Sequence, residues 1–90
     1  MMKLEFTQSA VYDLQRLREF IAVKNPSAAA SISQQLRRSI QRLIDQPMLG
    51  QALEELPDVR EWIAGDYLAR YIVLEEQIII LRIWHTKEDR

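Results

Sequence analysis

The spacing of apolar residues changes once along this 90-residue chain, close to Pro47 and Gly50. Before this point, apolar residues recur every three or four positions, which is typical of one face of a helix. After it, they alternate with polar residues or form short runs, which is typical of strands. A chain of this length is expected to form a single domain, residues 1–90. We therefore expect the helices and the strands to share one core.

The first half of the chain predicts a helical hairpin over about residues 8–46. Thr7 or Ser9 can cap the first helix. Asn25-Pro26 ends it and starts the second, because Asn is a good N-cap and Pro is favoured at the first helical position. This joint is short, so the two helices are expected to run antiparallel. Their apolar stripes contain Ala10, Leu14, Leu17 and Ile21 in the first helix and Ala29, Ile32, Leu36, Ile40, Leu43 and Ile44 in the second.

Four segments are predicted strands, at residues 3–6, 59–64, 67–74 and 78–84. Short connections, such as Gly65-Asp66, predict that the last three form an antiparallel meander over about residues 59–85. The last strand is apolar on both faces, so we expect it to be central. The predicted fold class is α+β, an antiparallel β-sheet with an N-terminal α-helical hairpin packed on one face, in the order β-α-α-β-β-β. Residues 86–90 are predicted to be a charged, frayed tail.

Composition excludes several classes of site. The chain has no cysteine and one histidine, which excludes disulfides and thiolate chemistry and makes a protein metal site improbable. No phosphate loop, nucleophile elbow or dinucleotide fingerprint is present, so no cofactor is expected. The N-terminus lacks the apolar region of a signal peptide and no apolar run is long enough to cross a membrane. A cytoplasmic protein without a membrane partner is the expectation.

Charge is unevenly distributed although the net charge is only −1. Residues 1–50 carry seven basic and four acidic residues, a net +3, whereas residues 51–90 carry five basic and nine acidic residues, a net −4. Such a balance lacks the electrostatic signature of a strong nucleic-acid binder. Four arginines form a basic surface on the helices, which we interpret as a solvated face: Arg16, Arg37, Arg38 and Arg42.

Three arginines, Arg60, Arg70 and Arg82, lie in three different predicted strands. Unpaired buried arginine is costly, so these side chains are expected either to lie on a solvated sheet face or to pair with acids such as Glu61. One interpretation is a set of guanidiniums presented to a phosphate or an acidic partner. The other is cross-strand ion pairing without a binding role.

His85 is the single histidine. It has the chemistry of a general acid or base near neutral pH, but a lone histidine after an apolar strand is more often structural. Trp62 and Trp84 are expected to pack in or around the core. On these residues alone, the sequence predicts a small α+β domain with an arginine-bearing sheet.

The order of residues resembles the ParE branch of the RelE/ParE superfamily, the toxins of type II toxin–antitoxin pairs. The matching pieces are Ala10 with Asp13-Leu14; Phe20-Ile21-Ala22, Asn25-Pro26 and Ala28-Ala29; Leu43, Pro47 and Gly50; Val59-Arg60-Glu61; Gly65-Asp66-Tyr67 with Arg70-Tyr71; and Ile80 to His85. Together they cover residues 4–88. The resemblance implies a bacterial, plasmid stabilisation-type toxin held inactive by a cognate antitoxin in a hetero-oligomer.

The superfamily has two functional branches. ParE-like toxins poison DNA gyrase by binding, whereas RelE-like toxins are ribosome-dependent endonucleases that cleave mRNA. By resemblance, Arg70 matches a sheet arginine of the nucleases and His85 lies where some of them have a histidine. Thr86 stands where those nucleases place a tyrosine, which weakens the nuclease interpretation. Glu54 or Glu55 could stand in for their glutamate.

We therefore expect a non-enzymatic toxin that inhibits gyrase. Its target-binding residues would be Arg60, Arg70 and Arg82, with no catalytic, cofactor or metal residues and no sequence-specific nucleic-acid binding. The alternative is an mRNA interferase in which Arg70, Arg82 and His85 are catalytic.

Overall fold

The computed structural model describes residues 2–87, apart from the side chains at positions 29, 30, 32 and 33. Its elements are β1 (Lys3–Phe6), α1 (Gln8–Lys24), α2 (Pro26–Asp45), β2 (Gln51–Ala52), β3 (Val59–Ala64), β4 (Tyr67–Val73) and β5 (Gln77–His85). The α+β class and the helical hairpin are confirmed. Ala29 and Ile32 of the predicted stripe lie outside the described side chains, and positions 88–90 of the predicted tail lie outside the described residues.

Asn25 alone separates the two helices. Thr7 caps α1 as predicted, because its hydroxyl accepts a hydrogen bond from the backbone N–H of Ala10 at 3.0 Å. Asn25 occupies the predicted N-cap position of α2, but its side chain makes no capping bond. Its Oδ1 instead accepts from the hydroxyl of Ser27 at 3.0 Å, while its backbone N–H closes the last turn of α1. One residue thus ends one helix and begins the next, which makes the hairpin tight.

The strands form one sheet in the order β1-β5-β4-β3-β2. The antiparallel meander β3-β4-β5 is confirmed, and β5 is flanked on both sides as expected of a central strand. β1, however, pairs with β5 in parallel. The long connection between them does not force opposite directions as a tight turn would. β2 was not predicted, because a two-residue strand is too short to show alternation.

The two helices cover one face of the sheet. This covered face carries Leu4, Phe6, Trp62, Tyr67, Ala69, Tyr71, Val73, Ile78, Ile80 and Ile83, which pack with Ala10, Leu14, Leu17, Leu36, Ile40 and Leu43 of the helices. The alternate residues of β3, β4 and β5 point away from the helices. These form the open face: Val59, Glu61, Ile63, Leu68, Arg70, Ile72, Ile79, Arg82 and Trp84.

Tyr71 anchors the loop that leads from the helices into the sheet. The side chain is fully buried, and its hydroxyl accepts from the Gly50 N–H at 2.8 Å and donates to the Pro47 carbonyl at 2.7 Å. A Cβ on Gly50 would lie 2.7 Å from the backbone oxygen of Glu61 and 2.8 Å from the Tyr71 ring. Close approach of the loop to the sheet therefore requires glycine here.

We predict that Tyr71→Phe lowers the free energy of unfolding by about 1–3 kcal/mol, because it leaves two backbone groups of the loop without their partner. Urea unfolding followed by circular dichroism measures this loss. Tyr12→Phe is the matched control, since Tyr12 is exposed on α1. Equal midpoints for the two variants would show that Tyr71 does not anchor the loop.

Candidate functional site

β5 extends beyond the end of β1, and α1 takes the place of a neighbouring strand there. β1 pairs only with residues 77–80 of β5. Past that point, the Thr7 hydroxyl donates to the Leu81 carbonyl at 2.8 Å, and the Asp13 carboxylate accepts from the Ile83 N–H at 2.9 Å. Arg16 donates to the Ile83 carbonyl at 3.1 Å. Side chains of α1 and of the residue before it thus satisfy backbone groups that an edge strand would otherwise expose.

Asp13 is the most connected charged residue in this region. It is 2% exposed, and its carboxylate accepts from Arg82 Nε at 2.7 Å, Arg82 Nη2 at 3.2 Å and Arg16 Nη1 at 2.6 Å. With the Ile83 N–H, two guanidiniums and one backbone group surround it. Burial raises the pKa of the carboxyl, but the hydrogen bonds from Arg82, Ile83 and Arg16 lower the pKa by more, so it lies below the ordinary 3.8.

Arg70 and Arg82 are direct cross-strand neighbours on β4 and β5. The Arg70 guanidinium binds the Glu61 carboxylate, and Arg82 binds Asp13. Trp84 contacts both arginines, with guanidinium carbons 5.0 Å and 5.1 Å from the ring centroid, which is cation–π distance. Arg70, Trp84 and Arg82 form what we call the arginine–tryptophan cluster.

A β-bulge places two of the three members of this cluster, Arg82 and Trp84, on the open face. Tyr71 pairs with Ile80 while Arg70 pairs with Arg82, so Leu81 is an extra residue on β5. Before the bulge the even-numbered residues of β5 face the helices, and after it the odd-numbered Ile83 does. If β5 continued as a regular strand without this bulge, alternation would turn Arg82 and Trp84 toward the helices. The bulge therefore creates the cluster.

The structure does not bring all the predicted site residues together. Arg60 lies on the covered face opposite Tyr71, where it donates to the Gly50 carbonyl at 2.6 Å. The expectation that it either lies on a solvated sheet face or pairs with an acid is wrong. The reason is that the loop after α2 supplies a backbone acceptor instead.

His85 also lies away from the cluster. It is opposite Tyr67 on the covered face, and its ring centroid is 5.4 Å from Phe20 and 5.3 Å from Tyr67. Its Nδ1 accepts from the Lys87 N–H at 3.1 Å.

The Thr86 N–H donates a hydrogen bond to the carbonyl of Asp66 at 2.7 Å. Glu54 and Glu55 are exposed in the loop between β2 and β3.

Asp13 belongs to the residues that resemble the family, but no role is assigned to it from the sequence alone. The available signal was its place in the first helix, because Asp13 lies three residues after Ala10 and four before Leu17, on the apolar stripe. An acid on a buried stripe requires compensating partners. Trp84 was expected to pack in or around the core, and the bulge sets it on the open face instead.

A second surface lies between α1, α2 and β1. Two adjoining cavities of about 290 and 340 Å³ share Val11, Leu14 and Arg37 in their lining. Leu4, Phe6 and Ile40 extend the apolar lining, and the exposed Arg18 and Arg37 add basic groups. We call this the hairpin groove.

Within residues 2–87, no helix is both long and apolar enough to cross a membrane. Among these same residues, no three metal-binding side chains are grouped so that they could hold an ion.

Comparison with solved structures identifies the class of protein. The chain matches one from the chromosomal ParDE toxin–antitoxin system of P. aeruginosa with a TM-score of 0.82 and 27% identity, over 94% of this chain and 96% of that one. The RelBE2 toxin–antitoxin complex of Mycobacterium tuberculosis shares the fold, with a TM-score of 0.69 and 24% identity over 93% and 96% of the two chains. A conserved hypothetical protein of Helicobacter pylori gives 0.63 and 26% over 98% of both chains.

The fold is therefore that of the ParE/RelE toxins. The family model described as ParE toxin of type II toxin-antitoxin system, parDE, matches residues 4–90. The chain belongs to the ParE toxin family. No curated protein sequence gives a significant match.

We predict that Asp13 makes the protein sensitive to acid. Because its folded-state pKa is depressed, its contribution to stability is fully present above pH 3.8 and is lost as the pH falls through the lower folded-state value. Asp13→Asn should be less stable than wild type by about 2 kcal/mol at pH 7. The difference in stability between the two should narrow as the pH falls below 3.8 and through the lower folded-state pKa.

Urea unfolding between pH 7 and pH 2 measures both effects. The control is Glu19→Gln, an exposed acid on the same helix, which should keep the wild-type pH profile. A constant gap between wild type and Asp13→Asn down to the lowest pH would contradict the depressed pKa.

Proposed function

We propose that this toxin acts by binding a protein target, DNA gyrase, through the open face, and that it does not cut RNA. The observation that carries this proposal is the separation of the predicted catalytic residues. Arg70 and Arg82 lie on the open face, whereas His85 packs between Phe20 and Tyr67 on the covered face. A general acid or base has to reach the reacting group within hydrogen-bond distance, and His85 does not share a face with the arginines.

The charge of the cluster also favours a protein target. Glu61 offsets the charge of Arg70, and Asp13 offsets that of Arg82. Binding RNA through its phosphates depends on uncompensated positive charge. The half of the chain that holds the cluster carries a net −4.

The composition of the open face is that of a protein interface. Tryptophan and arginine dominate binding hot spots, especially beside apolar groups that exclude water. Ile63 is 65% exposed although it is large and apolar, and Leu68 is buried between it and Trp84 in the cross-strand register. Gyrase as the particular target rests on the resemblance to the ParE branch.

We expect the purified toxin to inhibit DNA supercoiling by gyrase and, in cells, to stop DNA synthesis before protein synthesis. Arg70→Ala and Arg82→Ala should each weaken gyrase binding by about 1–3 kcal/mol, which is roughly 5- to 150-fold. His85→Ala should leave inhibition unchanged, because binding needs no proton transfer. Supercoiling assays and pulse-labelling of both syntheses measure these effects.

Arg38→Ala is the matched control for the arginine variants, because Arg38 is exposed on α2. Antitoxin binding reports that each variant is folded. The RelE-like nuclease would be the correct function if protein synthesis stopped first, mRNA were cut on ribosomes and a folded His85→Ala variant were inactive.

We also propose that the hairpin groove receives an apolar, acidic segment of the antitoxin. The lining of the groove is apolar and Arg18 and Arg37 lie at it, so an amphipathic segment with acidic residues complements both its shape and its charge. Val11 is 44% exposed at the point where the two cavities meet.

Val11→Glu should therefore weaken antitoxin binding at least about tenfold, because it places a carboxylate against an apolar and acidic segment. Val23→Glu is the matched control, since Val23 is 85% exposed on the same helix and does not line the groove. Isothermal titration calorimetry with the co-expressed partner measures both affinities. Equal affinities would show that the antitoxin binds elsewhere.

A further inference from the structure

We propose that Asp13 is a positioning residue of α1 that holds the Arg82 guanidinium on Trp84, and so shapes the target-binding cluster. The link to target binding rests on the proposed function. Asp13 itself is buried. It acts on the open face through the side chain of Arg82.

The contact geometry carries the inference. The carboxylate accepts from two donors of the same guanidinium, Nε at 2.7 Å and Nη2 at 3.2 Å. Such a two-point contact fixes the plane of the guanidinium as well as its position. Nη1 of Arg82 lies outside this contact.

The carboxylate is itself fixed by the fold. The Ile83 N–H binds Oδ2 at 2.9 Å, and Arg16 Nη1 binds Oδ1 at 2.6 Å. Arg16 is in turn attached to the Ile83 carbonyl at 3.1 Å. The orientation of Asp13 is thus set by the backbone of β5, one residue away from the arginine that it holds.

Without this carboxylate, two effects favour movement of the Arg82 guanidinium away from Trp84. Arg70 is its direct cross-strand neighbour, and like charges in such a pair repel. The Arg82 side chain is 43% exposed, so solvent can accept the released guanidinium. Loss of Asp13 should then resemble loss of Arg82 at the open face.

Fluorescence of Trp84 tests the positioning without any target. The chain has two tryptophans, so the Trp62→Phe background leaves Trp84 as the only tryptophan, which is excited selectively at wavelengths that tyrosine does not absorb. Arg82→Ala should raise acrylamide quenching of Trp84, and Asp13→Asn should give the same rise. The double variant should give no further rise, because both changes remove one interaction. An unchanged Trp84 in folded Asp13→Asn, with a changed one in Arg82→Ala, would overturn the proposal.

A second measurement on the wild-type protein does not depend on how well Asp13→Asn folds. In NMR spectra, the Nε–H of Arg82 should exchange slowly with water, whereas that of the exposed Arg38 should exchange fast. The Arg82 signal is assigned by its absence from the Arg82→Lys variant. Fast exchange of the Arg82 Nε–H would equally overturn the proposal.

Gyrase affinity then separates the positioning role from the proposed function. Asp13→Asn and Arg82→Ala should weaken binding by the same factor, and the double variant should be no weaker. If both variants change Trp84 fluorescence and neither changes gyrase affinity, Asp13 still positions Arg82 and the open face is not the target site. If Asp13→Asn weakens binding further in the Arg82→Ala background, Asp13 acts on the fold and the positioning role is wrong.

Discussion

The packing of α1 against residues 81–85 of β5 depends on the hydrogen bonds that the buried carboxylate of Asp13 accepts. A lone buried carboxylate would be strongly destabilising, but this one accepts hydrogen bonds from Arg82, Arg16 and the Ile83 backbone. These contacts join α1 to the part of β5 that lies beyond the end of β1. The same carboxylate compensates one arginine of the open face, so the packing of α1 and the charge of that face have a common origin.

The bulge at Leu81 is the second requirement, and it is independent of the first. Strand residues alternate between faces, so one extra residue reverses the assignment of every later side chain. Ile78 and Ile80 face the helices before the bulge and Ile83 does so after it, which keeps the core continuous. The reversal turns Arg82 and Trp84 outward. Because β5 has apolar residues at both even-numbered and odd-numbered positions, an apolar side chain faces the helices on either side of the bulge. The bulge therefore leaves the core intact.

The parts of the structure that the sequence predicted are those set by local patterns. Helical spacing and the Asn25-Pro26 joint predicted the hairpin, and alternation with short turns predicted the meander, because each depends on residues close in the chain. The surroundings of Arg60 and Arg82 were not predictable. The face that Arg82 occupies depends on the bulge, and the partner of Arg60 is a carbonyl of the loop after α2. The charge of Asp13 is compensated by Arg82 and by the Ile83 N–H, which lie 69 and 70 positions later in the chain. No local pattern encodes contacts over such distances.

α1 contributes residues both to the hairpin groove and to the support of the arginine–tryptophan cluster. Val11 and Leu14 line the groove, whereas Asp13 faces β5 and holds Arg82. A partner that enters the groove without moving α1 leaves the four hydrogen bonds of Asp13, and therefore the cluster, as they are. If the antitoxin sits in the groove and gyrase binds the open face, occupation of the groove alone does not neutralise the toxin. The antitoxin then has to reach around the edge of the sheet to the open face, or displace α1 at the cost of the buried carboxylate's partners.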